Sequence, residues 1–226
     1  MALILNLETS TRMCSVALAQ DGHSVAFREL GGEYTHAENL TLFIQDVFEQ
    51  AGKQLNQLDA IAVSKGPGSY TGLRIGISTA KGLCYALQKP LLAVPTLESL
   101  LHVMRSGFEG LPGDLYCPML DARRLEVYCA VYDSQNKMVE EVQAKIIDND
   151  SFASLLEKGR LIMFGDGADK CKPFLLSPNA VFADGILPSA RHMALLSELA
   201  WKEKRFEDVA YFEPFYLKEF YSGKGQ

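Results

Sequence analysis

The residues with the most chemical promise lie in SKGPGSYTGLR, Ser64 to Arg74, which follows an apolar run and leads into a helical pattern. A phosphate-cradling loop would sit in such a place. A Walker loop, however, needs a glycine, four residues, then Gly-Lys and a hydroxyl, so that backbone N–H groups and the lysine converge on phosphates. Neither Gly66 nor Gly68 has that spacing, and Gly66, Gly68 and Gly72 together are one residue too long for the dinucleotide fingerprint G-x-G-x-x-G. The three glycines and Pro67 therefore read as a tight, well-defined turn. Beyond it, Gly72, Gly76 and Ala80 recur every four residues on one face of a helix that also carries Ile75, Ile77 and Leu83. Helical glycine costs up to about 1 kcal/mol against alanine, so a close approach by another helix is expected. That helix is either a neighbour in the same chain, residues 37–52, or part of a second protein. On the second reading Leu40, Phe43, Val47, Gly72, Leu73, Gly76 and Ala80 form a partner interface.

Two further turns have groups suited to a nucleotide. Glu8-Thr9-Ser10-Thr11 offers hydroxyls and amides to phosphates, and GDGAD, Gly165 to Asp169, has the slimness to approach a sugar or base. Thr9, Ser10, Gly165 and Gly167 are thus the nucleotide-binding candidates. The plainer account is that Ser and Thr satisfy a tight turn and that the glycines end a strand. Asp121 is followed by Ala-Arg-Arg instead of a glycine-rich turn, so Arg123 and Arg124 either bind an anion or are solvated hairpin arginines. The four histidines, His23, His36, His102 and His192, have no metal-ligand spacing, and no metal site is expected. No Ser, Cys or His sits in a nucleophile-elbow or metalloprotease pattern, which argues against a protease.

The elements that must position these turns alternate. Leu3 to Leu7, Cys14 to Ala19 and Ser24 to Glu29 read as a three-stranded meander. Leu40, Phe43, Ile44, Val47 and Phe48 have helical spacing, giving a helix of about 37–52. A strand Leu58 to Val63, a helix Thr71 to Gln88 and a strand Leu91 to Val94 follow. The pattern returns with Leu115 to Leu120, a basic turn, the alternating Val127 to Tyr132 and a polar turn at Asp133 to Lys137. A helix around Ser151 to Lys158, a strand Leu161 to Phe164 and a helix from Ala190 to about Lys204 complete it. A repeated βββαβα unit predicts an α/β protein with a duplicated actin-like (ASKHA, hexokinase/Hsp70-type) fold. Its lobes are residues 1–100, with the partner-binding helices, and 101–226, a degenerate copy with a C-terminal helix and an aromatic tail. Tyr211, Phe212, Phe215, Tyr216, Phe220 and Tyr221 crowd that tail, which is expected to fold onto its own domain or to dock a further subunit.

With 226 residues, 48% of them hydrophobic, the chain can fill one large or two small cores. A formal charge of −6 opposes unaided RNA binding, because neutralising phosphates takes clustered Lys and Arg. Five scattered cysteines without a C-x-x-C pair suit a reducing compartment. No segment is long and apolar enough for a bilayer, and the start reads as a strand and not a leader, so a cytoplasmic location is expected.

Three stretches, LNLETSTRMCSVAL (Leu5 to Leu18), SKGPGSYTGLRIGISTAKGL (Ser64 to Leu83) and KPLLAVPTLESL (Lys89 to Leu100), closely resemble the TsaB (YeaZ) family. Those proteins are bacterial paralogues of TsaD, which completes threonylcarbamoyladenosine beside the anticodon of tRNA. The resemblance is specific over the N-terminal half and mainly one of layout beyond it. TsaD-like enzymes carry a His-x-x-x-His metal pair where this chain has Thr96 and Leu100, which ligate poorly or not at all. The resemblance implies a non-catalytic partner of a TsaD-like enzyme, pairing through the region of the two helices, or with itself when that partner is absent. It further implies a TsaE-like ATPase as a third component, tRNA met only through the complex, no cofactor held tightly by the isolated chain, and ATP admitted only within the complex. The competing reading is a small ATP-dependent phosphotransferase using Glu8, Thr9, Asp121 and the GDGAD turn.

Overall fold

The computed structural model describes residues 2–32 and 35–218. Phe220 and Tyr221 of the aromatic tail lie outside the described residues.

The first half builds a sheet from β1 (Leu3–Glu8), β2 (Met13–Gln20), β3 (His23–Gly31), β4 (Ala60–Gly66) and β5 (Leu91–Pro95), in the order β3-β2-β1-β4-β5. β1 to β3 form an antiparallel meander, and β4 and β5 join it in parallel through crossovers carrying α1 (Thr35–Ala51) and α2 (Tyr70–Leu87). Successive strand residues alternate between faces. Leu5, Leu7, Val16, Leu18, Ile61 and Val63 meet Leu40, Ile44, Val47, Phe48, Ile77 and Ala80 of the two helices. Ile4, Ala17, Ala60, Ala62, Leu92 and Val94 face the other way.

The second half repeats the plan. β6 (Leu115–Asp121), β7 (Glu126–Tyr132), β8 (Met138–Ile146), β9 (Leu161–Phe164) and β10 (Ala180–Ala183) take the order β8-β7-β6-β9-β10, with the same pattern of antiparallel and parallel pairings. The expected duplication is therefore present. Its crossovers are reduced: α4 (Ala153–Leu156) is a single turn, and after β9 only a 3-10 turn, Asp169–Cys171, replaces the counterpart of α2.

Three elements lie beyond the expectation. β8 is a polar edge strand whose sequence MVEEVQAKI lacks clean alternation, β10 has four residues, and α3 (Thr96–Gly107) is a full helix. The final helix is also split, with a 3-10 turn at Ala190–Met193 and α5 at Ala194–Lys202.

The chain exchanges helices between the halves. Leu97, Leu100, Leu101 and Met104 of α3 pack against Tyr116, Leu120, Ala130 and Phe164 of the second sheet. Ala190, Met193 and Ala200 return to the outer face of the first sheet, where alanines at 17, 60 and 62 leave room for them. A boundary at residue 100 thus falls inside α3, and the C-terminal helix belongs spatially to the first lobe. No helix among the described residues is long and apolar enough to cross a membrane.

Candidate functional site: the corresponding turns of the two lobes

The β1–β2 hairpin starts at Glu8, whose side chain, like those of Thr9 and Ser10, is buried. The Ser10 N–H and the Ser64 hydroxyl donate to Glu8 Oε1 at 2.7 and 2.9 Å, while Oε2 has no described partner. Burial pushes the Glu8 carboxyl above its ordinary pKa; the serine hydrogen bonds oppose that shift, and the charge of Asp166 adds to it. The turn at Asp166 in the second lobe is therefore within electrostatic reach of the first hairpin.

The glycines of SKGPGSYTGLR explain themselves here. Ser69 N–H donates to the Ser10 carbonyl at 2.6 Å, and its hydroxyl caps α2 by accepting from Gly72 N–H at 3.3 Å. A Cβ on Gly68 would strike the carbonyl oxygen of Ser10, one on Gly72 the carbonyl oxygen of Thr9, and one on Gly76 the Thr9 hydroxyl. That hydroxyl donates to the Gly72 carbonyl at 2.8 Å. What approaches Gly72 and Gly76 is thus the hairpin of the same lobe, while Ala80 packs in the core that α2 shares with α1. Thr9 has committed its only donor to the protein, whereas Ser10 Oγ is buried without a described partner.

The seven residues expected at a partner interface are turned inward. Leu40, Val47, Leu73 and Ala80 are buried, Gly72 and Gly76 hold the hairpin, and Phe43 is half-buried against the first core. In the single chain the side chains of Leu40, Val47, Leu73 and Ala80 are buried and leave little of themselves at the surface. The same helices turn Leu42, 54% exposed, and Tyr85, 84% exposed, outward.

The second lobe repeats the glycine arrangement. Gly165 has φ +107°, as does Gly66, and a Cβ on it would strike the Met119 carbonyl oxygen. Gly167 N–H donates to that same carbonyl at 3.1 Å, and a Cβ on Gly167 would lie 2.7 Å from the carbonyl carbon of Leu120. Both glycines therefore serve the contact between the end of β9 and β6. Asp166 accepts from Asp121 N–H at 3.1 Å, and burial together with the charge of Asp121 raises its carboxyl to about 6. Lys170 is paired with Asp121 and donates to the Glu126 carbonyl at 2.6 Å. Arg123 and Arg124 occupy the β6–β7 turn, both exposed, with φ +70° and +48°.

Thr96 and Leu100 stand at the first residue of α3 and one turn later, on one face, each with no exposed surface. Leu100 is core, and Thr96 Oγ1 has no described partner. The histidines are dispersed. His23 is exposed, with Nδ1 3.0 Å from the Asp21 carbonyl; burial lowers the pKa of His36. On α3 His102 is half-buried, and burial together with Arg191 lowers His192 to about 4. Among the described residues no three His, Cys, Asp or Glu side chains are grouped to hold a metal.

The aromatic tail supplies contacts that composition alone could not place. Residues 205–218 run as a strap from the sheet edge, where Glu207 N–H donates to Leu91 O at 2.9 Å, across α2 to the second lobe. Lys81 donates to the carbonyls of Ala210 and Phe212 at 3.0 and 3.2 Å, and Phe215 N–H to Lys65 O at 2.7 Å. Tyr216 stacks on Tyr70 at 4.8 Å and accepts from Arg74 Nε at 3.3 Å. Lys218 then pairs with Glu126 of β7. The described part of the tail folds onto its own chain.

Comparison with known proteins adds the lineage. The model of the family described as "TsaD: tRNA N6-adenosine threonylcarbamoyltransferase" matches residues 32–213. The tRNA threonylcarbamoyladenosine biosynthesis protein TsaB of Bacillus subtilis is 32% identical, covering 95% of this chain and 93% of its own. That of Escherichia coli is 30% identical, covering 95% and 94%. The solved structure of YeaZ from Pseudomonas aeruginosa superposes with a TM-score of 0.78 over 96% of this chain and 100% of its own, at 29% identity. At 8% identity, the activator of 2-hydroxyisocaproyl-CoA dehydratase from Clostridium difficile shares the fold alone, with a TM-score of 0.51 over 90% and 97% of the two chains. The two-lobed layout is the duplicated actin-like one. With this agreement along nearly its whole length, the chain belongs to the TsaD family and, within it, to the TsaB (YeaZ) branch.

Proposed function

We propose that this chain is a non-catalytic subunit that pairs with a TsaD-like enzyme in the threonylcarbamoyladenosine modification of tRNA. The observation that carries the reading is the filling of α3. Thr96 and Leu100, which stand where the resemblance puts the enzyme's histidine pair, are fully buried, and Leu100 lies in an apolar core. A hydroxyl and an isobutyl group supply no imidazole-like donor pair there. The candidate phosphate turn is likewise taken up by its own lobe, since the Thr9 hydroxyl is bonded to Gly72 and the hairpin is sealed by Gly68, Gly72 and Gly76. This supports a chain that holds no nucleotide tightly by itself, ATP entering only within the complex.

The contact surface for the enzyme, or for a second copy when the enzyme is absent, is the outward side of α1 and α2, including Leu42 and Tyr85. The subunit steadies the enzyme's active conformation and helps to form a surface for tRNA and a TsaE-like ATPase, in the cytoplasm. Reconstitution tests this. The TsaD-like enzyme with its other pathway components is expected to modify tRNA only when this chain is present, and equal modification without it would refute the role. Calorimetry of the isolated chain with ATP and Mg²⁺ is expected to show no tight binding; tight binding would favour the phosphotransferase reading.

A further inference from the structure

The protein carries a surplus of carboxylates, yet one point gathers positive charge. The β6–β7 hairpin and its surroundings bring together Arg123, Arg124, Lys170 and Lys218, against Asp121, Glu126 and Asp166. Lys170 and Lys218 are paired with Asp121 and Glu126. Among the described residues the two arginines pair with no carboxylate. Arg28, Arg74, Arg105, Arg160, Arg191 and Arg205 each engage a carboxylate, a carbonyl or an aromatic hydroxyl. Among the described residues Arg123 and Arg124 have no such side-chain partner, a condition they share only with Arg12.

The backbone is unusual at the same point. Arg123 and Arg124 are consecutive non-glycine residues in the left-handed region, each costing on the order of 1 kcal/mol. Arg123 N–H is held by Asp121 Oδ1 at 2.9 Å, and Glu126 N–H by the Arg123 carbonyl at 3.1 Å, so the turn is fixed and not floppy. Lys218, at the end of the strap, lies 5.9 Å above the Tyr128 ring, and burial, then the fields of Arg123 and Arg124, lower its pKa. Three cations thus converge beside a half-buried aromatic ring, on a rigid turn with two free guanidinium forks. Such forks match phosphate oxygens in pairs, and a ring among cations suits a nucleic acid with its stacked bases.

We propose that Arg123, Arg124 and Lys218 form a contact site for the phosphodiester backbone of RNA, namely the tRNA reached by the assembly proposed above, on which this inference rests. The chain's net charge of −6 keeps the site too weak to recruit RNA alone at physiological salt, so it adds to a surface completed by the partner.

The test is fluorescence anisotropy with an unmodified full-length tRNA transcript and the assembled complex, repeated over a range of salt concentrations. The double variant R123A/R124A is expected to bind roughly tenfold more weakly and to flatten the salt slope by about two, one per lost phosphate contact. R123K/R124K, which keeps the charge, is expected to retain most of the slope. Unchanged affinity and slope in R123A/R124A would overturn the inference, and so would loss of enzyme association in that variant, because the arginines would then be contacting protein. If the wild-type chain fails to assemble with the enzyme at all, the functional proposal fails separately. The salt titration is then run on the chain alone at low ionic strength, where the absence of an arginine-dependent slope overturns the RNA site.

Discussion

The hairpin joining β1 to β2 and the hairpin joining β6 to β7 occupy the same place in their sheets. Each is approached by the end of a strand, where a glycine sits at φ +107°, Gly66 or Gly165, and the glycine two residues on, Gly68 or Gly167, has no room for a Cβ. From there they diverge. In the first lobe an 18-residue helix follows, and Gly72 and Gly76 let it close over Thr9 until the hairpin is sealed. In the second only a 3-10 turn of three residues follows, and the hairpin stays open with two arginines on it. The backbone of the duplicated unit has been kept in both copies, while the length of the following helix decides whether its turn becomes core or surface.

The strongest way to break this comparison is Gly72→Val. The new side chain would meet the Thr9 carbonyl, and a loss of about 3 kcal/mol or more is expected in urea unfolding, since backbone cannot yield as a flexible side chain does. A loss below about 1 kcal/mol would mean that the first hairpin is not sealed as described. Next, Gly68→Ala and Gly167→Ala are expected to cost similar amounts, about 2 kcal/mol each, because both meet hairpin backbone. Costs differing severalfold would show that the two glycines are not equivalent.

Asp166→Asn sharpens the electrostatic side. A carboxyl raised from 3.8 to about 6 binds its proton more tightly in the folded state, so native stability falls as pH rises through that interval. Removing the charge is expected to stabilise the protein by on the order of 1 kcal/mol at pH 7, and the gain should fade below pH 4. A gain that persists there would point to a steric cause. The smallest effect is expected from Arg124→Gly, a stabilisation of about 0.5 kcal/mol as the left-handed backbone is relieved, partly offset by the freedom glycine gains in the unfolded chain. Thermal melts at matched pH would detect it.

Much of the architecture was legible from residue patterns. The meander, α1, α2 and the return of the strand pattern followed from period-2 and period-3.6 spacing, because those elements bury one clean face. Leu97, Leu100, Leu101 and Met104 also carry a helical period, so α3 could have been read from it. β8 could not, since its half-exposed edge sets no alternation, and β10 is too short to show one. Of the site, the tight glycine turn was legible as backbone economy. Its occupant was not: that Thr9 fills the space beside Gly72 and Gly76 depends on a contact between residues some sixty positions apart. The small-residue face suggested a helix because small residues mark any close approach, whatever arrives. The left-handed arginines left no trace either, as arginine does not favour that conformation.

The exchanged helices impose an order of events during synthesis. When β5 has left the ribosome, the inner strands of the first sheet can pair and α1 and α2 can cover one side. Ile4, Ala17, Ala62, Leu92 and Val94 on the reverse must wait for Ala190 and the helix after it. At ordinary elongation speeds that interval is on the order of five to twenty seconds, during which the nascent chain shows a greasy strip to every chaperone and neighbour it meets.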